Sequence, residues 1–382
     1  MKVLLLSVYG FGHGSMAPFQ FYEKELKERF GIQSEEKVSD SLQDKIAEIK
    51  KFDGDLILVS VPWRCGPGGV LDFCKEAYEN RKKSKLIFFD YGDGNESQFW
   101  SVMPYVDLYL KQYIHREMSK YQNTYLGSSE FIDYLVNCGQ VENSIQSEVW
   151  TNLFQSNLGE KYYPKVMVGW NFGLWKRLLY LGNNRGWLVL WKHDRIHKRL
   201  ATLTRRAKDL VIRKMKGQTK PIDVYCRATL YSGWTKVHRL KTINLLNELP
   251  DRYNIVSSVK RVGFSEYYRE MENSKIFISP SGWCEYTPKD YEAMFFGALL
   301  IKPSVEHIDT EPNLLVPNQT YVPVKWDMSD LKEKVEFYLG NETERERITR
   351  QAKQAISDYY STKQFLDKIE EILVRLDTFP CP

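Results

Sequence analysis

The stretch Tyr267–Pro303, YYREMENSKIFISPSGWCEYTPKDYEAMFFGALLIKP, decides the fold. Its centre, KIFISPSG (Lys275–Gly282), is an apolar run that ends in a Ser/Pro/Gly turn. Such a run suits a strand buried on both faces of a parallel sheet. Thr287–Phe296 follows with helical spacing, and Pro288 stands where a first helical turn tolerates proline. ALLIKP (Ala298–Pro303) is the next strand and ends in Lys302. A turn feeding a helix N-terminus presents backbone N–H groups and a positive dipole end, which suits a pyrophosphate. Ser281 and Gly282 are therefore candidate phosphate-binding residues, and Lys289 adds a point charge. Glu292, one turn deeper, is placed to accept two hydrogen bonds from a ribose diol, and Glu285 is a further acid in the loop.

The same alternation extends in both directions. Upstream, PIDVYCRAT (Pro221–Thr229) and YNIVSSV (Tyr253–Val259) read as strands, with an amphipathic helix over Val237–Leu249 between them. Val322–Trp326 is a short strand, and helices are predicted near Leu331–Leu339, Thr343–Tyr359 and Thr362–Leu376. The first half repeats the pattern: strands at Lys2–Gly10, Asp55–Pro62, Lys85–Asp90 and Val106–Gln112, with helices over Pro18–Phe30, Ser41–Lys51 and Val70–Arg81. The fold class is α/β, with two Rossmann-like doubly wound domains facing a cleft. Ligands of such sheets sit outside the carboxyl ends of the strands. That places candidate positions just after Gly10, Pro62, Asp90, Thr229, Val259 and Pro280, and it adds Arg227 and Lys260 as strand-end cations.

The segment from Tyr267 resembles the donor-binding motif of GT-B glycosyltransferases. It is most similar to the exostosin-like and spore-protein (CgeB-like) branch, with a pattern near Y-x3-M-x2-SK-(apolar)-SPSG-x2-E-x-T-x-R-x-YEA-x3-G. Lys289 stands where the pattern has Arg, which keeps the charge and loses the bidentate fork. IDVYCRATLYSGWTKVHRLKTINLL, from Ile222, resembles the first strand–loop–helix of that domain, and the resemblance implies that Arg239 reaches the donor phosphates. It covers about Pro221–Leu376 well and the N-terminal half in outline. It implies transfer of a hexosyl or related sugar from a nucleoside diphosphate sugar to a hydroxyl of a glycan, lipid-linked glycan or cell-surface polysaccharide. A non-catalytic nucleotide-sugar or glycan-binding protein of the same fold is the alternative.

The resemblance also implies a catalytic base on the N-terminal domain. Inverting enzymes of this fold often carry a His in the loop after the first strand, which here is His13 in GFGHGSMAP, although Pro18 falls two residues later than in the pattern. A neutral imidazole suits that task. FFDYGDG (Phe88–Gly94) offers Asp90 at a strand end and Asp93 in a Gly-rich turn. This D-x-x-D is not a D-x-D metal motif, and cations with a helix dipole can neutralise a leaving diphosphate, so no metal and no resident cofactor is expected. Trp63, in the PWRCGPGG loop, is a candidate for stacking on a sugar.

Composition fits this picture. The chain has 382 residues, 43% hydrophobic and 27% charged, enough for two domains. No run reaches the length of a membrane span, and the six cysteines form neither CxxC pairs nor Cys/His metal spacings. Scattered thiols suggest a reducing compartment, hence a cytoplasmic location. The net charge of +5 is unevenly spread: Lys176–Lys220 holds fourteen Lys/Arg against Asp194 and Asp209. With interleaved apolar residues, this block suits peripheral contact with an anionic membrane surface better than nucleic acid, for which no base-reading module is present. The expected organisation is an acceptor domain over 1–175, a basic helical connector over 176–220, a donor domain over 221–360, and a C-terminal helix over 361–382 crossing back to the first domain.

Overall fold

The computed structural model describes residues 1–9, 11–126, 129–138, 153–155, 158–171, 220–230 and 233–378. The basic stretch read as a connector falls almost wholly outside these residues.

The N-terminal sheet uses β1 (Lys2–Ser7), β2 (Gln33–Val38), β3 (Leu56–Val59), β4 (Lys85–Asp90), β5 (Leu108–Lys111) and a strand at Val166–Val168. Two strands of the chain, β6 (Ile114–His115) and β7 (Thr124–Leu126), precede β8 (Leu153–Gln155), so that last sheet strand is β9. The order is β2-β1-β3-β4-β5-β9, and every pairing is parallel. The C-terminal sheet uses β10 (Ile222–Arg227), β11 (Ile255–Ser258), β12 (Ser274–Ile278), β13 (Leu299–Pro303) and β15 (Val322–Val324), with β14 at Ile308–Asp309. Its order is β11-β10-β12-β13-β15, again parallel throughout. The two doubly wound sheets expected from the alternation are present.

Both orders reverse direction at one point: between β1 and β3 in the first sheet, and between β10 and β12 in the second. At such a switch the flanking connections leave towards opposite faces, and a crevice opens outside the carboxyl ends of the strands.

Helices cover the sheets: α1 (Phe11–Phe21), α2 (Glu23–Phe30), α3 (Leu42–Lys51), α4 (Gly66–Asn80) and α5 (Glu130–Asn137) in the first half. The second half has α6 (Trp234–Asn247), α7 (Phe264–Glu272), α8 (Pro288–Phe296), α9 (Leu331–Gly340), α10 (Glu342–Ser361) and α11 (Gln364–Thr378). Three large apolar clusters result, with a smaller fourth around Phe131 and Trp234. One fills the outer face of the first sheet around Ile57, Val59 and Phe88, and one the outer face of the second around Ile276, Leu299 and Val335. The third is shared, running from Leu5, Phe89 and Trp170 to Tyr291, Met294 and Phe365.

That shared core joins the halves. β6 pairs antiparallel with β14, Thr310 Oγ1 donates to the Gln112 carbonyl at 2.8 Å, and Tyr113 stacks on Tyr286 at 5.6 Å between centroids. Helix α11 lies on the first domain: Phe365 stacks on Tyr22 at 5.7 Å and meets Trp170 edge-on at 5.2 Å. Arg29 pairs with Asp367 at 2.8 Å and also with Glu370.

Two local expectations are corrected. The chain between β1 and Pro18 was read as a Gly-rich loop, but helix α1 begins at Phe11, so His13 has a helical backbone; its side chain is outside the described residues. Met16 and Phe19 are buried there, and this packing overrides the poor helix propensity of the glycines and Pro18. The stretch Gly127–Tyr163, whose polar, turn-rich sequence with weak periodicity predicts no helix, contains α5, whose Phe131, Ile132 and Leu135 are buried.

Candidate functional site

The second switch-point crevice is built from the segment that decides the fold. Strand β12 ends at Ile278, and Ser279 begins the turn into α8. Asp290, in the first turn of α8, fixes that turn. Its Oδ1 accepts from Ser279 Oγ at 2.6 Å, and its Oδ2 accepts from the Thr287 N–H at 2.9 Å. Lys302 from β13 completes the pairing, 2.6 Å from Oδ2. Asp290 and Lys302 are both buried, so each neutralises the other. The first-turn acid of α8 is thereby compensated, and the helix end keeps its attraction for an anion.

Arg239, one strand over on α6, reaches the same turn. Its Nε donates to the Ser281 carbonyl at 3.3 Å and Nη1 donates to the Thr229 carbonyl. Gly282 is needed for this approach: a Cβ there would stand 2.6 Å from Arg239 Nη2. The Ser281 hydroxyl is buried without a hydrogen-bond partner. Lys289 Nζ donates to the Arg227 carbonyl at 3.1 Å. Burial holds the Lys289 amine below its ordinary pKa, and the neighbouring Arg239 lowers it further. Two cations thus converge on a helix N-terminus, where a bound dianion would relieve their repulsion. Glu292 is buried on the next turn of α8, and Tyr268 Oη donates to its Oε1 at 3.2 Å.

Other candidates have different surroundings. The Arg227 guanidinium is held in a fork by Glu270, with Nε–Oε2 at 2.5 Å and Nη2–Oε1 at 2.6 Å. Glu270 keeps the Arg227 charge compensated, so the structure does not present it as a free phosphate ligand. Lys260 is exposed, and its carbonyl accepts from Arg227 Nη1 at 3.3 Å. Glu285 pairs with His307, Oε2 to Nε2 at 3.1 Å, and its own carbonyl accepts from Lys302. Burial would pull the His307 imidazole down, but Glu285 outweighs it and raises the pKa. Neither His307 nor Tyr268 is marked by a sequence pattern, since each acts through a partner more than twenty residues away.

On the facing domain, the two acids at the end of β4 part company. Asp90 is buried: Tyr109 Oη donates to Oδ2 at 2.8 Å, Lys111 lies 3.1 Å from Oδ2, and the Gly92 N–H donates to Oδ1 at 2.8 Å. Burial pushes its carboxyl up, yet Lys111 and these donors bring the pKa below its ordinary value. A carboxylate so fully engaged is an anchor for the loop, which corrects the expectation that it contacts the acceptor. Asp93 keeps an open face. It is nonetheless enclosed by protein, and this desolvation raises its pKa; Lys111 opposes the shift and Asp90 adds to it. The loop is held by Gln112, whose Nε2 donates to the Tyr91 and Gly92 carbonyls at 2.6 and 3.1 Å. Asp93 also raises the pKa of Cys284 and Tyr113. Among the described residues, no group of three or more His, Cys, Asp or Glu side chains could hold a metal ion.

Residues 203–371 match the model of a glycosyl transferase-like family, so the crevice at β10 and β12 lies within a glycosyltransferase-like domain. The chain matches no curated protein sequence. Among solved structures it is similar over 98% of its length to 97% of the N-terminal domain of Candida albicans trehalose-6-phosphate phosphatase, with 10% identity and a TM-score of 0.50. It also resembles a glycosyltransferase from Rickettsia africae, at 14% identity over 98% of each chain and a TM-score of 0.48. The S. aureus MnaA–UDP structure matches at 10% identity over 99% of this chain and 98% of the other, with a TM-score of 0.46.

Proposed function

We propose that the protein is a metal-independent glycosyltransferase that moves a hexosyl or related sugar from a nucleoside diphosphate sugar to a hydroxyl of a glycan acceptor. The observation that carries this reading is the convergence of Arg239, Lys289 and the α8 N-terminus on the Ser281–Gly282 turn. Together they provide the positive field a leaving diphosphate requires, in a site that already excludes most water. Glu292 is the ribose ligand in this reading, exchanging its tyrosine partner for the sugar diol. Glu285, steadied by His307, faces the transferred sugar.

Asp93 is the base in an inverting reaction. Its raised pKa brings it nearer the range in which a carboxylate accepts a proton at neutral pH, and it faces the donor side across the cleft. It takes the proton of the acceptor hydroxyl as that oxygen bonds to the anomeric carbon. The bond to the diphosphate breaks with its electron pair staying on the leaving oxygen, and Arg239 and Lys289 neutralise the charge that develops there. The motif spacing around Tyr267–Gly297 supports the exostosin-like and CgeB-like branch. The cation-rich 176–220 stretch supports a lipid-linked or cell-surface glycan acceptor met at the cytoplasmic membrane surface.

Turnover of nucleoside diphosphate sugars is the test, with EDTA present. Activity should persist in EDTA, and Asp93→Asn should lower kcat by about 100-fold or more while nucleotide affinity holds. Nucleotide binding without turnover of any donor would favour the non-catalytic alternative. Activity lost to EDTA and restored by manganese would refute metal independence.

A further inference from the structure

His307 stands at the joint between the two halves. It precedes β14, and its carbonyl accepts from the Arg116 N–H at 3.0 Å, which extends the antiparallel β6–β14 pair by one rung. Its ring meets Trp326 edge-on, with 4.9 Å between centroids. Trp326 in turn meets Phe131 and Tyr134 of α5 at 5.6 and 5.2 Å. One contact with the first half thus fixes the His307 backbone, and another backs its ring.

Carboxylates act on the imidazole from both halves. Glu285, in the β12–α8 loop, has Oε2 at 3.1 Å and Oε1 at 3.3 Å from Nε2, and its side chain is 4% exposed. Glu130, in the first turn of α5, pairs through Oε1 with Lys120 at 2.9 Å, while its Oε2 is buried without a hydrogen bond. Burial pulls the His307 pKa down, Glu285 and then Glu130 push it up, Lys120 opposes them, and the net shift is upward.

Other charges on the adjoining elements are engaged elsewhere or face water. Lys302 of β13 pairs with Asp290, and His115 of β6 with Glu96. Glu306 accepts from Ser304 Oγ at 3.0 Å, Asp327 accepts from the Ser329 N–H at 3.0 Å, and Asp309 acts on Glu311. Arg116 and Lys325 are exposed. A protonated His307 therefore serves one carboxylate of the donor loop and one of the first half. Without that proton, buried Glu285 loses the cation at its carboxylate, an arrangement that is strongly unfavourable. Turning the carboxylate to water relieves it and carries the loop along.

We infer that His307 is a proton-operated bridge: charged, it ties the Glu285 loop of the donor crevice to α5 across the joint, and neutral, it lets that loop go. The inference deepens the proposed function by giving its donor site a pH control, and it rests on that function only for the loop's part in nucleotide binding. The contribution of the charged bridge is complete below the ordinary histidine value of about 6.5 and is lost as pH rises through the higher folded value.

The test follows the full chain between about pH 6 and 9, a range that brackets a raised imidazole. Three quantities are read: the His307 ring resonance by NMR, hydrogen-exchange protection of the loop Ser281–Tyr286, and affinity for a panel of nucleoside diphosphate sugars. As pH rises, wild type should lose loop protection and about fivefold or more in affinity, with the midpoint of the His307 ring. In His307→Gln, loop protection should stay at the high-pH level of wild type throughout. Any slope in affinity that the lowered Lys289 adds is common to both proteins, so the difference between them reports His307. Glu130→Gln, which removes the acid of the first half, should move all three midpoints to lower pH together. Lys332→Gln, which breaks a surface pair with Glu248, should change nothing. The inference is overturned if His307 titrates at or below about 6.5, if loop protection does not follow its protonation, or if His307→Gln keeps the wild-type pH dependence. Loop protection that follows the His307 midpoint in a protein that binds no nucleotide sugar would uphold the bridge and refute the donor reading instead.

Discussion

Gly282→Ala isolates the role of Arg239. The Gly282 backbone is outside the left-handed region, so alanine meets no strain in the main chain. What it meets is Arg239: the new Cβ would lie 2.6 Å from Nη2 and 3.8 Å from Cζ. Comfortable contact between such atoms is about 3.5 Å, so the guanidinium must retreat by about 1 Å. It is held by the Ser281 carbonyl at 3.3 Å and by the Thr229 carbonyl, and retreat gives up at least one of these bonds. A hydrogen bond to a charged group contributes about 1.5–3 kcal/mol. If that guanidinium also holds the diphosphate, nucleotide affinity should fall by about 10- to 100-fold. The assay is calorimetry with a panel of nucleoside diphosphates, alongside thermal melting. Gly340→Ala is the control, since a Cβ there meets nothing within 4 Å. A folded Gly282→Ala protein with wild-type affinity would refute Arg239 as a phosphate ligand.

Other outcomes follow from the buried charges. Lys111→Met should destabilise the fold by about 3–5 kcal/mol at neutral pH, because Asp90 is left charged and buried. The loss of stability in acid should also shrink, as denaturant titrations would show. In wild type Asp90 is depressed, so its contribution is present at neutral pH and lost as pH falls through its folded pKa. In the variant the hydrogen bonds from Tyr109 and the Gly92 N–H still oppose burial but Lys111 no longer does, so Asp90 is depressed less and less stability is lost as pH falls. Lys45, lowered to about 7 by burial, is neutral in the folded protein at pH values where the unfolded amine is still protonated. Stability should therefore rise between about pH 7 and 10.5, and Lys45→Met should flatten that slope. Glu292→Ala should weaken nucleotide binding by about 1–3 kcal/mol; unchanged affinity in the folded variant would remove it from the ribose site.

The strands with both faces covered were legible as continuous apolar runs: β1, β3, β4, β10 and β13 fall within the predicted segments, and β12 begins one residue before its segment. Strand β2 was not, because QSEEKV is an edge strand with one face in solvent, and its charges read as loop. Helix α5 escaped for another reason. Its Phe131 packs edge-on against Trp234 and Trp326, so its apolar face is covered by the other domain, which no local pattern reveals. At the site, spacing and the family resemblance single out the turn, Arg239, Lys289 and Glu292 as candidates, and the fold brings them to one crevice. Which charges are already taken was not legible. Glu270 lies 43 residues from Arg227, and Lys111 lies 21 from Asp90, so only the folded chain separates an anchoring charge from an available one.

The same kind of pairing ties the Asp93 loop to the crevice at β10 and β12. Gln112 grips the carbonyls of Tyr91 and Gly92 with its side chain, and its own carbonyl accepts from Thr310 of the second domain. Tyr113, the next residue, donates to the Tyr286 carbonyl at 3.4 Å, within the loop that leads into α8. Two consecutive residues after β5 thus hold the Asp93 loop with one hand and the donor loop with the other. Parting the domains would break the Thr310 and Tyr286 contacts and loosen the support of both loops together. If Asp93 is the base of the proposed reaction, a loop held this way would aim it at the nucleotide only while the domains stay together, and proton removal would be confined to that state.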